Sequence, residues 1–325
     1  MEEKKTEAQR LKEELCYLPK NSGLAMSERQ LEKADQFCEG YKSFLDLAKT
    51  EREAVDVALS IAREKGFRPF DPKVRYAAGE RVFRNIHGKA LILCTMGTRP
   101  LEEGVRMIAA HIDAPRIDLK PRPLYEEAQL AMFKTHYYGG IKKYQWTAIP
   151  LALHGVVMRR DGHKITVAIG ESEQDPVFTI TDLLPHLATE QMQRKLNDGI
   201  KGEELNVLVG GRMFRDDKAT ERVKLAILKL LNETYGLVEA DFLSAELTLV
   251  PAFRATDVGF DRSFIGAYGH DDRVCAYTAM TAAMEAKTPE YTTVTVLADK
   301  EETGSEGNTG LDSRMLEYFM EDLTA

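Results

Sequence analysis

Three short segments gather the residues that could do chemistry. His111-Ile112-Asp113 closes an apolar run, Val105 to Ile112. Side chains of a strand alternate faces, so His111 and Asp113 point the same way. A histidine that ligates a metal commonly gives its other ring N–H to a carboxylate, and His-x-Asp can supply both partners. Asp271-Asp272 follows His270 and opens a helical pattern; a carboxylate there could bridge two cations, with His270 a competing ligand. Glu301-Glu302 follows the apolar run Thr293 to Ala298, with Gly304 and Gly307 just beyond. Adjacent carboxylates repel each other unless a cation lies near. One could ligate that cation while the other serves water as general base. Taken singly, each segment has a plainer role: a surface histidine, a helix N-cap, a solvated acidic turn. Their shared position, at strand or helix ends of one α/β layer, is what points to a metal site.

The elements that must position them alternate. Ser27 can cap a helix through about Lys49, and Thr50 with Glu53 has the capping-box pattern for a second helix that Gly66 stops. Ala90 to Met96 and Val105 to Ile112 read as strands. The middle of the chain differs: apolar runs Ile149–Val157 and Ile165–Ile169 flank the turn signal Asp161-Gly162. The spacing then predicts a helix capped by Thr181, with Leu183, Leu184, Leu187 and Met192 as its apolar positions. A long amphipathic helix is expected from about Lys218 to Thr234, ended by Gly236, and then a strand Leu247–Val250. Helix Arg273–Ala286, strand Thr293–Ala298 and helix Ser313–Leu323 resume the alternation. The order predicts an α/β domain interrupted by a largely β insertion.

Composition excludes several function classes. The 325 residues carry a net charge of -8, which disfavours a general nucleic-acid binder. No apolar run is long enough for a membrane span, and the first twenty residues lack the apolar core of a signal peptide. Four scattered cysteines, Cys16, Cys38, Cys94 and Cys275, read as reduced thiols of a cytoplasmic protein. Gly304-Ser305-Glu306-Gly307 lacks the Lys-Ser/Thr ending of a phosphate loop, and no Gly-x-Ser-x-Gly elbow occurs. Cys275, inside an apolar helical run, reads as a packed thiol. Tyr137, Tyr138, Tyr144 and Trp146, interleaved with Lys142 and Lys143, read as a surface or interface patch.

The segments Ala110–Arg116, Asp271-Asp272-Arg273 and Asp299–Ser305 resemble, in order and spacing, three motifs of the M18 metallo-aminopeptidases, the aspartyl aminopeptidase family. Thr181–Leu187 resembles a fourth, and Tyr138–Ile141 matches more loosely. The resemblance implies a zinc-exopeptidase-type α/β/α catalytic domain, residues 1–120 and 257–325, interrupted by a mainly β dimerisation domain, residues 121–256. It implies a metal-dependent aminopeptidase that releases N-terminal amino acids from short peptides. Acidic residues are the family's better-known preference, and some members prefer neutral ones. His111 would ligate one zinc, Asp271 would bridge two, and Glu302 would ligate the other; manganese or cobalt could replace zinc. Asp113 would orient His111, and Glu301 would be the general base. His186, in the insertion, would reach a neighbouring subunit's site as an oxyanion donor. The family's homo-oligomer is a dimer that builds a closed dodecamer.

Lys300 and Asp272 stand where many relatives carry Asn. The resemblance also implies five metal ligands, the last two an acidic residue and a histidine well beyond Glu302. Thr303 to Ala325 contains no histidine. The expectation is therefore a chain covering roughly the first seven-tenths of a typical member. Such a chain would expose an edge of strand Thr293–Ala298 and apolar helix faces, and be poorly soluble. The alternative reading is a non-catalytic, truncated homologue that acts only as an oligomerising protein.

Overall fold

The computed structural model describes residues 5–325; residues 1–4, where the N-terminal reading begins, lie outside the described residues. Two units can be distinguished, one ending at Lys42 and one running from Ser43 to Ala325. The first holds α1 (Glu7–Leu15), whose capping box pairs Thr6 with Gln9, α2 (Ser22–Ala25) and most of α3 (Glu28–Leu47). The second unit opens on the predicted capping box. The Thr50 amide donates to Glu53 Oε2 at 2.9 Å, and the Glu53 amide to Thr50 Oγ1 at 3.3 Å, starting α4 (Glu51–Glu64). Ala54, Val55, Ala58, Leu59 and Ala62 bury one stripe of that helix.

Strands β1 (Arg68–Pro69), β2 (Arg81–Ile86), β3 (Ala90–Thr95) and β4 (Val105–His111) follow. Next come β5 (Arg116–Glu127), β6 (Leu130–Tyr138), β7 (Leu151–Met158), β8 (Lys164–Ile169) and β9 (Thr179–Ile180). The chain continues through the short α5 (Thr189–Met192), β10 (Val207–Gly210), α6 (Arg222–Tyr235) and β11 (Ala245–Pro251). A small hairpin of β12 (Thr256–Val258) and β13 (Phe264–Gly266) leads to α7 (His270–Glu285), β14 (Thr292–Ala298) and α8 (Met315–Thr324).

Two sheets carry the molecule. The first has the order β1-β2-β3-β14-β4, with β14 antiparallel to β3 and parallel to β4. Met315 and Phe319 of α8 close one face over Val82, Ile92, Val294 and Val296. Helices α4 and α7 pack on the opposite face, giving an α/β/α sandwich. The second sheet is antiparallel, in the order β8-β7-β11-β5-β6-β10-β9, around Ile117, Phe133, Leu151, Trp146, Phe242 and Leu249. It takes in residues 116–251, with the Asp161-Gly162 turn joining β7 to β8.

Several expectations need correction. The segment from Thr181 is not a helix: only Thr189–Met192 is helical, and Leu183, Leu184, Leu187 and Met192 are exposed. Pro185 has no N–H for a fourth-position helical bond, and its ring crowds the preceding turn. Asp182 instead accepts hydrogen bonds from the Leu183 amide and from Gln191. Helix α6 begins at Arg222, later than Lys218, and ends as expected on Gly236 in the left-handed region. Strand β14 has no free edge, because β4 lies beside it; the open edge is that of β4, where Met107 and Ile108 are 43% and 50% exposed. Trp146 and Tyr138 are buried, so only Tyr137 and Tyr144 belong to a surface patch. Cys275 is exposed on α7 rather than packed. The Asp272 carboxylate beside it pushes the thiol pKa up, the wrong direction for a nucleophile.

Candidate metal centre

The parallel pair β4 and β14 fixes where the chemistry can lie. Ala298 pairs with His111, and the Ile112 amide donates to the Ala298 carbonyl at 2.8 Å. His111 and the Glu301-Glu302 segment therefore leave the sheet at one C-terminal edge, where open α/β sheets place their ligands. Asp271 arrives there from the start of α7. Asp271 and Asp272 have non-helical backbone angles, so the regular helix begins at Arg273. Arg273 is buried, donates to the Lys49 carbonyl at 3.0 Å, and lies over the Tyr268 ring, anchoring this turn from below.

His111 Nε2 lies 3.2 Å from Asp271 Oδ1 and 3.5 Å from Glu301 Oε2. Ligand atoms of His111, Glu301 and Glu302 fall within 4.8 Å of one another. The His111 side chain is only 10% exposed, whereas Asp271 is 86% and Glu301 55% exposed, so the carboxylates face an accessible rim. Imidazole plus several carboxylate oxygens is a donor set suited to a divalent cation of the zinc or manganese type. The crowding of negative charge fits the same group. Burial, and then the carboxylates of Asp113, Asp271 and Glu301, push the Glu302 carboxyl above its usual range, with His111 opposing.

Asp113 sits beneath this cluster, fully buried. His111 Nδ1 lies 3.3 Å from Asp113 Oδ1 and 3.0 Å from the Asp113 carbonyl. The Glu301 and Glu302 amides donate to the two oxygens of its carboxylate, each at 3.2 Å. Tyr138 donates its hydroxyl to Oδ2 at 2.7 Å. Burial opposes ionisation of Asp113, but bonds from His111, Tyr138 and the Glu302 amide prevail and hold its pKa low. Burial likewise opposes the charged imidazole of His111, yet Asp113 and Glu301 outweigh it and push the pKa up to about 9.

The structure thus brings together five of the six residues singled out: His111, Asp113, Asp271, Glu301 and Glu302. His186 lies elsewhere, exposed in the turn before α5. His270 turns its Nε2 to the Ile265 carbonyl, 3.0 Å away, rather than joining the cluster. Two further residues reach the cluster: Tyr138, read from the sequence as part of a surface or interface patch, and Gly139. Their signal in the sequence was the loose match Tyr138–Ile141, which starts on the last residue of β6. A Cβ on Gly139 would stand 3.0 Å from Glu302 Oε2, so the end of β6 abuts the carboxylates directly.

Residues 44–325 match the family model for the aminopeptidase I zinc metalloproteases, M18. A probable M18 family aminopeptidase 1 of Clostridium acetobutylicum is 44% identical over 308 residues, 94% of this chain and 66% of that protein. One of Thermotoga maritima is 46% identical over 286 residues, 88% of this chain and 62% of that protein. The crystal structure of an M18 aminopeptidase from Thermotoga maritima superposes with a TM-score of 0.89 at 43% identity, covering 95% of this chain and 67% of that one. The chain spans about two thirds of the length of the curated relatives it matches (66% for the Clostridium protein).

Proposed function

The chain belongs to the M18 family of aminopeptidase I zinc metalloproteases, and from that premise we propose that its activity is metal-dependent release of N-terminal amino acids from short peptides. The single observation that carries the proposal is the convergence of His111, Asp271, Glu301 and Glu302 on one sheet edge. In this reading His111, Asp271 and Glu302 would hold two divalent ions. When bound, such ions polarise a carbonyl and make water a nucleophile at neutral pH. Asp113 orients His111 through Nδ1. Glu301, on the accessible rim, accepts the proton of the attacking water and returns it to the leaving amine.

The proposal extends to an assembly. Leu183, Leu184, Leu187, Met192 and Leu196 are all exposed on the segment that carries His186. Apolar exposure on that scale suits a contact between copies. There His186 would donate to the reacting carbonyl oxygen of a neighbouring site. A cytoplasmic setting is supported by the four cysteines, all free. No helix among the described residues is long and apolar enough to cross a membrane.

The test compares Glu301→Gln with Glu302→Gln on a panel of amino-acid anilides, with zinc content measured in parallel. Glu301→Gln should keep its metal and lose at least ~10²-fold in kcat. Glu302→Gln should lose metal as well. Turnover retained in Glu301→Gln removes the general-base assignment; zinc uptake without turnover in the unmutated chain favours a non-catalytic, oligomerising role. His186→Phe should lower kcat by ~10²-fold or more without loss of metal, if it is the oxyanion donor. An unchanged rate would remove it from the reaction.

A further inference from the structure

The seven-stranded sheet reaches the Asp113 carboxylate of its own chain through the Tyr138 hydroxyl. Arg116 and Tyr138 are direct cross-strand partners in the β5–β6 hairpin. The Arg116 guanidinium stacks 4.1 Å from the Tyr138 ring centroid, while Lys300 Nζ lies 5.2 Å from the same centroid. Arg116 is itself fixed, donating Nη1 to Glu51 at 2.7 Å and Nε to Asp118 at 2.8 Å. The ring therefore has little freedom, and its hydroxyl is held 2.7 Å from Asp113 Oδ2.

We propose that Tyr138 is a positioning residue of the metal centre, locking the Asp113 carboxylate so that His111 presents Nε2 to the cation. The proposal rests on the metal reading given above. Asp113 has one oxygen for each task. Oδ1 meets His111 Nδ1 and the Glu301 amide; Oδ2 meets the Tyr138 hydroxyl and the Glu302 amide. The Tyr138 bond is the shortest of the four and comes from a ring clamped by Arg116 and Lys300. Without it, Oδ2 keeps only a 3.2 Å amide bond, and the carboxylate can rotate about its Cβ–Cγ bond. His111 then loses its fixed orientation, and the Glu301-Glu302 turn loses the carboxylate on which its two amides rest. Outer partners of this kind commonly govern metal affinity by ~10–100-fold.

The experiment uses Tyr138→Phe, which removes one oxygen atom, and Tyr137→Phe, its more exposed neighbour, as control. Zinc affinity is read by chelator competition. Backbone amide exchange at Glu301 and Glu302 is read on the metal-free chain, and thermal melts accompany both. Tyr138→Phe should weaken zinc binding by ~10-fold or more, accelerate exchange at those two amides several-fold, and leave exchange in β3, β4 and β14 unchanged. Tyr137→Phe should match the unmutated chain in every readout. Unchanged zinc affinity, or a loss accompanied by faster exchange throughout the first sheet, overturns the proposal. An unmutated chain that takes up no zinc overturns the metal reading, and the proposal with it.

Discussion

Gly139 shows how tightly the centre is built at the level of single residues. It has φ of +71°, and a Cβ there would lie 3.0 Å from Glu302 Oε2 and 3.1 Å from Glu302 Cβ. Gly139→Ala must adopt a left-handed backbone, at about 1–2 kcal/mol, and must push Glu302 aside. The expected result is a melting temperature lower by several degrees and zinc affinity weaker by ~10-fold. Melts combined with chelator competition check this; undiminished affinity would show that Glu302 is not held where the metal reading needs it. Residue types made the carboxylates and His111 visible in the sequence, because His111, Asp113 and the Glu301-Glu302 pair end apolar runs and Asp271 opens a helix. Tyr138 was not visible, since its bond to Asp113 depends on the β5–β6 register that sets Arg116 opposite Tyr138. Nothing local in Tyr137-Tyr138 says which of the two tyrosines faces inward.

Among the strands of the first sheet, β4 is the one that exposes large apolar side chains. Its outer edge has no partner strand among the described residues, and Met107 and Ile108 stand out to solvent. Such an edge templates pairing with another chain. Ile108→Lys should reduce concentration-dependent association by at least ~2-fold, as read by sedimentation or light scattering. Identical association would place the sticky surface elsewhere, the exposed leucines around His186 being the next candidate. Elements with local rules were legible in advance: the Thr50–Glu53 box opens α4, and Gly236 closes α6. The segment after Thr181 was misread because leucine spacing was weighed without Pro185. Cys275 was misread because α7 buries only one stripe, through Arg273, Ala276, Ala279 and Met280, and the thiol lies off it. Sheet order was not legible either, since β14 inserts between β3 and β4 from far along the chain.

Across the whole molecule, buried charge joins the two sheets' layers. His154 of β7 is buried, with Nδ1 2.7 Å from Glu53 of α4 and Nε2 2.9 Å from Glu171 beyond β8. The Lys49 ammonium faces the same two glutamates. Burial opposes protonation of His154, but Glu171 and Glu53 prevail and push its pKa up to about 9. A folded pKa above the unfolded value near 6.5 means that the stabilising contribution is complete below that pH. It fades as pH rises through about 9, and is on the order of 2–3 kcal/mol. Urea unfolding at pH 6 and pH 9.5 should show that loss in the unmutated chain and a smaller one in His154→Gln. Equal losses in the two proteins would mean that the imidazole is neutral between its glutamates.

The register of β4 against β14 carries a last consequence, for how such a chain can change length. Ala298 faces His111, and both strands exit together. Because a strand reverses its side chains at every residue, deleting one residue from either strand would turn His111 or the acidic pair toward the wrong face. A change of two residues would restore the face but draw the group back by about 7 Å, out of reach of its partners. Insertions can therefore accumulate in the long excursion between β4 and β14, as the entire seven-stranded sheet does, while the two strands themselves admit none.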